Sequence, residues 1–125
     1  MAIAHSLAAR QDSGDTVLAL LNVNAPGDLR LLTSGAAQVA LLPLSATAAA
    51  AVDGSGIATF NAITDDTNTA AGTIDNFELR DGNNLVVITG TVTLVGGGGD
   101  IELTSVTFNI GETISVTSMT YTTQV

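Results

Sequence analysis

Few residues in this 125-residue chain are of types that carry out chemistry, and they are scattered. His5 is the single histidine. A histidine-centred triad or metal site needs partners in fixed geometry, so a lone His this early in the chain reads as a polar contact. Asp65-Asp66-Thr67-Asn68-Thr69 gathers oxygen ligands as calcium loops do. It lacks the Asp-x-Asp-x-Asp-Gly spacing and the closing bidentate Glu. Asp53-Gly54-Ser55-Gly56 and Asp81-Gly82-Asn83-Asn84 read as turns, in which Asp and Asn bond local backbone and Gly supplies positive φ. Asp100 and Glu102 alternate on a strand and come nearest to a paired-carboxylate site. Glycoside hydrolysis needs two carboxyls across a sugar-sized cleft, usually with aromatic platforms, and the chain has no Trp. Gly96-Gly97-Gly98-Gly99 has neither the Lys-Ser/Thr nor the helix start of a phosphate loop. Gly54-Ser55-Gly56 is too short for a nucleophile elbow. The expectation is a protein that is not an enzyme, with no catalytic residue, no cofactor and no metal.

Charge is sparse and one-sided. Three arginines (Arg10, Arg30, Arg80) face twelve acids, giving a formal net charge of −9. Phosphate binding needs clustered Lys and Arg, and an acidic chain is repelled by anionic lipid, so neither nucleic acid nor membrane is an expected partner. Arg30 and Arg80 sit in strands, where a rare cation makes an ion pair within the fold or across an interface. With no Cys, neither a disulfide framework nor a thiolate site can hold the chain. Stability must come from apolar burial, here by small residues with only three Phe and one Tyr. Residues 1–5 lack a basic signal-like start. The longest apolar stretch, residues 46–52, is far short of the ~20 residues of a membrane span.

The length suits a single domain. Residues 1–11 read as an N-terminal arm, with a short helical turn at residues 7–10 as an option. The rest, residues 12–125, reads as one β body. Asp12-Ser13-Gly14-Asp15 resembles a helix start, with Asp12 or Ser13 as cap and Asp15 at the positive end of the dipole. Val17, Leu18, Leu20 and Leu21 follow at helical spacing, which places a short helix near residues 13–22. A strand over residues 16–23 is the alternative.

Beyond Pro26-Gly27 the texture is β. Strands are expected at residues 29–33, 38–45, 57–63, 72–80, 85–95, 101–103, 106–110 and 114–121. Pro43 implies an edge or bulge, and a bulge near Asp75-Asn76 follows from the opposite register of Ile74 and Phe77. The Asp81–Asn84 turn reads as a hairpin. Gly90 stands where Val or Ile would be expected, which points to a bend or a close backbone approach. Residues 46–51 are left open between a helical turn and a loop. Many short strands at intervals of about 8–12 residues suggest an antiparallel β-sandwich, jelly-roll-like, with a short helix and arm. The Thr- and Ser-rich stretch 113–123 could hydrogen-bond a neighbour or meet water.

Four stretches together resemble a group of small bacteriophage virion proteins, the head decoration (cement) and minor tail-associated subunits. They are the helix and turn leading into Leu29-Arg30-Leu31-Leu32; Ile57-Ala58-Thr59-Phe60-Asn61-Ala62-Ile63-Thr64; Phe77-Glu78-Leu79-Arg80-Asp81 with Val87-Ile88-Thr89-Gly90-Thr91-Val92; and Asp100-Ile101-Glu102-Leu103 through Tyr121. The resemblance implies a structural role in the virion, after assembly in the host cytoplasm. It implies a capsid-stabilising subunit bound to major capsid or other virion proteins, and a homo-oligomer. The alternative is a minor tail or receptor-facing part. Ala46–Ala51 matches none of these motifs. On this reading the arm and helix dock on a partner. The expected partner-binding residues are Ile3, His5, Leu7, Arg10, Leu18 and Leu21, with Arg30 and Arg80 on the strands.

Overall fold

The computed structural model describes residues 3–123; Met1 and Ala2, which belong to the expected arm, lie outside the described residues. The chain is mainly β with one helix. That helix, α1 (Leu7–Leu20), begins six residues earlier than the sequence suggested. Its cap is Ser6, whose Oγ accepts the Ala9 N–H at 3.2 Å. Asp12 and Ser13 therefore lie inside the helix rather than at its start, and the arm ends before Leu7 instead of at residue 11. The strand alternative for residues 16–23 is not adopted.

The physical reason for the misplaced start lies in the buried face, which runs through Arg10, Gly14, Val17, Leu18 and Leu21. These positions have helical i, i+4, i+7 spacing, but only the last three are apolar. The first turns dock by polar contacts. Arg10 donates to Thr123 Oγ1 at 3.1 Å, and Gln11 donates to the Val52 and Asp53 carbonyls. Asp15 accepts the Val52 N–H at 2.8 Å. Gly14 is buried because the helix presses on Val52 and Thr123: a Cβ there would lie 2.6 Å from Thr123 Cγ2. A hydrophobic-periodicity signal cannot register a helix that docks through polar groups and a glycine.

The nine strands are β1 (Asp28–Leu32), β2 (Gln38–Pro43), β3 (Ile57–Thr59), β4 (Gly72–Thr73), β5 (Asn76–Arg80), β6 (Val86–Leu94), β7 (Ile101–Leu103), β8 (Thr107–Phe108) and β9 (Thr120–Thr122). Five of them form one curled sheet in the order β2-β1-β5-β6-β7, while β3–β9 and β4–β8 are separate two-stranded ribbons. The expectation of a wholly antiparallel fold needs correction, because β6 and β7 are parallel, with Val92 beside Ile101 and Leu94 beside Leu103. Parallel neighbours ordinarily need a crossover of a dozen or more residues. Here β7 is so short that the return path is only about 7 Å at ~3.3 Å per residue. The glycine run spans it, with Gly96 at φ +88° and Gly98 at φ +81°.

Alternation on the sheet builds the core. One row across it is Leu42, Leu29, Leu79 and Ile88; the next is Ala40, Leu31, Phe77 and Gly90. Leu29, Leu31 and Leu42 are wholly buried. Leu18 and Leu21 of the helix region, Ala58 and Phe60 from the β3 region, Ile74 and Ile114 close over these rows in the same cluster. Gly90 ends its row because the Phe77 ring lies on it, and a Cβ there would sit 2.5 Å from Phe77 Cε1. The expected strand over residues 72–80 is split into β4 and β5 at Ile74-Asp75. The 57–63 strand is ladder-paired only over its first three residues. Residues 46–51 contain no helix; Ala49 makes a single bridge to Phe60.

The two edges of the sheet differ. Along β2, Thr64 and Ala70 donate their N–H groups to the Pro43 and Val39 carbonyls, and the Asp66 carboxylate accepts from Leu41 N–H. That edge is covered, in keeping with Pro43 as an edge residue. Beyond β7 no strand joins the sheet among the described residues. The segment 115–119 runs alongside, and among the described residues no backbone hydrogen bond joins it to β7.

Candidate binding groove at the open sheet edge

The residue types that could do chemistry are almost all used by the fold. Every acid except Asp12 and Asp65 accepts a hydrogen bond among the described residues. Seven of these carboxylates hold backbone N–H groups. Asp53 takes Ser55 and Ile57; Asp66 takes Leu41 and Asn68; Asp81 takes Asn83 and Leu85. Asp15 takes Val52, Glu112 takes Asn109, and Asp100 takes Thr91. Glu102 accepts from Gly96 and Gly98 and so clamps the glycine loop. Short acidic side chains at turns substitute for missing backbone acceptors. The chain is acidic partly because its many tight connections each require such a group. Three further acids face side chains: Asp28 bonds Arg80, Glu78 bonds Arg30 and Asp75 bonds Asn76.

Among the described residues no group of three or more His, Cys, Asp or Glu is placed to share a metal ion. A pair of adjoining depressions of about 280 and 530 Å³ lies at the bare β7 edge. They share Asp100, Ile101, Met119 and Thr120. The smaller runs between β7 and residues 115–120. The larger reaches under Phe77, Ile88 and Tyr121. Asp100 and Glu102, two of the exposed acids, border the smaller depression. Each is already bonded to its own loop, and among the described residues neither is hydrogen-bonded to another titratable side chain. Ser and Thr alternate with Ile101, Leu103, Val116 and Met119 along the smaller depression, and aromatic side chains line part of the larger.

The eight residues expected to bind a partner separate into three groups. Ile3, His5 and Leu7 project to solvent, Ile3 at 78% exposure. Arg10 is half-buried and tied to Thr123, so it fastens the helix to the body. Leu18 and Leu21 are not on an outward stripe: at 4% and 0% exposure they belong to the chain's own core. That correction follows from the last turn of the helix packing inward through Leu18, with Leu21 just beyond it, while Leu7 and Leu20 stay exposed.

Arg30 and Arg80 make ion pairs within the fold. Their strand neighbours place an acid directly opposite each, with Arg30 facing Glu78 and Asp28 facing Arg80 across β1 and β5. Arg80 is bidentate to Asp28 at 2.8 and 3.1 Å, with both side chains 13% exposed. The bond to Asp28 holds the guanidinium above its ordinary pKa against the opposing effect of burial. Arg30 meets Glu78 through a single 3.4 Å contact and bonds Gln38.

The β7 edge was not singled out from the sequence. Its signals were the four-glycine run followed by a three-residue strand, and the Ser/Thr-rich stretch opposite. No family model, curated protein or solved structure matches this chain.

Proposed function

We propose that the chain is a structural subunit of a bacteriophage particle, a decoration or cement protein that stabilises the head by binding neighbouring capsid proteins. The observation that supports this most is the assignment of its polar groups. Ten of the twelve carboxylates and all three arginines are bonded within the fold among the described residues, while the exposed residues 3–6, Leu7 and one bare sheet edge are left for partners. A body of this kind contributes shape and edges, not reacting groups. The ribbons β3–β9 and β4–β8 then serve as the second layer of a sandwich-like brick, and the segment before α1 is the docking element. Many weak copies on an ordered lattice add through effective concentration.

The test is stoichiometry of purified particles by quantitative mass spectrometry. A cement subunit appears in hundreds of copies, in proportion to the capsid lattice. A handful of copies per particle would move the protein to the tail, and absence from the particle would overturn the reading. Removing residues 2–5, which leaves the Ser6 cap in place, should abolish binding to particles stripped of the protein; undiminished binding would refute the docking role of that segment.

A further inference from the structure

We propose that the bare edge of β7 receives the extended segment 3–6 of a second copy of this chain. The proposal rests on the homo-oligomer element of the reading above and gives the segment before α1 a second copy of this chain, in place of a capsid protein, as its partner; cross-linking reads that contact directly, whatever the copy number in a particle.

An edge strand presents a row of unpaired N–H and C=O groups that template another strand, and proteins ordinarily cover or blunt such edges. This chain covers one edge and leaves the other. The β2 edge is closed by Thr64, Asp66 and Ala70. At β7 no backbone bond is made to the facing segment 115–119 among the described residues, and a groove of about 280 Å³ separates the two. Strand addition into a gap of this kind draws affinity from main-chain hydrogen bonds and selectivity from alternate side-chain positions.

The same chain supplies a fitting strand. Residues 3–6 are exposed and lie in no helix or ladder. Ile3 is among the most exposed large apolar side chains, at 78%. Four residues extend about 13 Å, enough to pair along the roughly 10 Å of β7, at ~3.3 Å per residue. Alternation puts Ile3 and His5 on one face, and the segment carries no acid, so it can enter beside Asp100 and Glu102 without like-charge repulsion. The other symmetric arrangement, β7 antiparallel to β7 of a second copy, sets Glu102 opposite Glu102 in one register and Asp100 opposite Glu102 in the next, which is destabilising for directly opposed like charges.

Cysteine cross-linking tests this cleanly because the chain has no native Cys. Ile3→Cys and Ser118→Cys, both at exposed positions, are purified separately, mixed, and treated with a short bis-maleimide. Covalent dimer should form in the mixture several-fold above that given by Ile3→Cys with Ser34→Cys, a site on the β1–β2 turn. Light scattering of the unmodified chain should give at least twice the 12.5 kDa monomer mass, falling to the monomer when residues 2–5 are removed. Cross-linking no greater than the Ser34→Cys control would overturn the proposal. So would a double variant, Ile3→Cys with Ser118→Cys, that closes only within one chain at low concentration. Circular dichroism of each variant separates loss of the contact from loss of folding.

Discussion

The Arg80–Asp28 pair offers the sharpest test of the claim that the arginines serve the fold and not a partner. Replacing Arg80 with Met leaves Asp28, 13% exposed, without its cation and with two hydrogen bonds lost. Breaking a fully buried pair costs about 3–5 kcal/mol, and an exposed pair is worth ~0–1 kcal/mol. The partial burial and bidentate geometry place Arg80→Met at about 2–3 kcal/mol. Against a total stability on the order of 6–19 kcal/mol for a chain this long, that is a readily measured loss. The double variant Asp28→Leu with Arg80→Met should recover to within about 1 kcal/mol of the parent, since an apolar pair can replace an ionic one at little net cost.

Arg30→Met provides the internal contrast. Its single 3.4 Å contact, with side chains 28% and 22% exposed, predicts a loss below about 1 kcal/mol. Urea unfolding followed by far-ultraviolet circular dichroism is the assay, because the chain has no Trp to report by fluorescence. The pH dependence has a definite sign. A guanidinium raised above its ordinary value contributes fully below its unfolded pKa. That contribution is lost only as pH rises through the still higher folded value. The Arg80→Met difference should therefore not fall between about pH 6 and 9 through any titration of Arg80. A loss under about 0.5 kcal/mol for Arg80→Met, or equal coupling energies for the two pairs in double-mutant cycles, would refute the reasoning.

Three further substitutions probe other parts of the structure by the same unfolding assay. Asp81→Ala removes the acceptor for Asn83 and Leu85 N–H from a side chain only 4% exposed; it should cost about 2–3 kcal/mol, whereas Asp81→Asn keeps an oxygen there and should lose less than half as much. Gly90→Val would suit a strand by propensity but drives a Cβ to 2.5 Å from Phe77 and 2.8 Å from Asp100 Oδ2, so a loss of about 1–3 kcal/mol is expected, and unchanged stability would show the approach to be loose. Leu21→Ala should cost about 2–5 kcal/mol as a core truncation; a variant of parental stability that binds particles poorly would instead return Leu21 to the partner-binding surface.

What the sequence determined by itself was local and periodic. Alternation placed Leu29 and Leu31 of β1 and Phe77 and Leu79 of β5 on the inward face, whereas on β6 it grouped the buried Val92 with Val86 and Leu94, which are about half exposed. Asp, Asn and Gly at 53–56 and 81–84 fixed turns whose hydrogen bonds lie within a few residues. The missing side chain at Gly90 announced a close approach. The tertiary structure alone decided the features that depend on distant segments. Helix α1 starts at Leu7 because Arg10, Gln11 and Gly14 find partners near residues 52–56 and 123, contacts that no apolar repeat encodes. Leu18 and Leu21 are core because the last turn of the helix packs inward; an outward stripe would have the same spacing. Glu78 and Asp28 face Arg30 and Arg80 only once β1 and β5 are neighbours. The parallel β6–β7 pair and its bare edge arise from how a four-glycine loop closes in space. Periodicity shows which way a side chain points relative to its own strand, but which strand lies beside it, and whether any does, is set by packing across the whole chain.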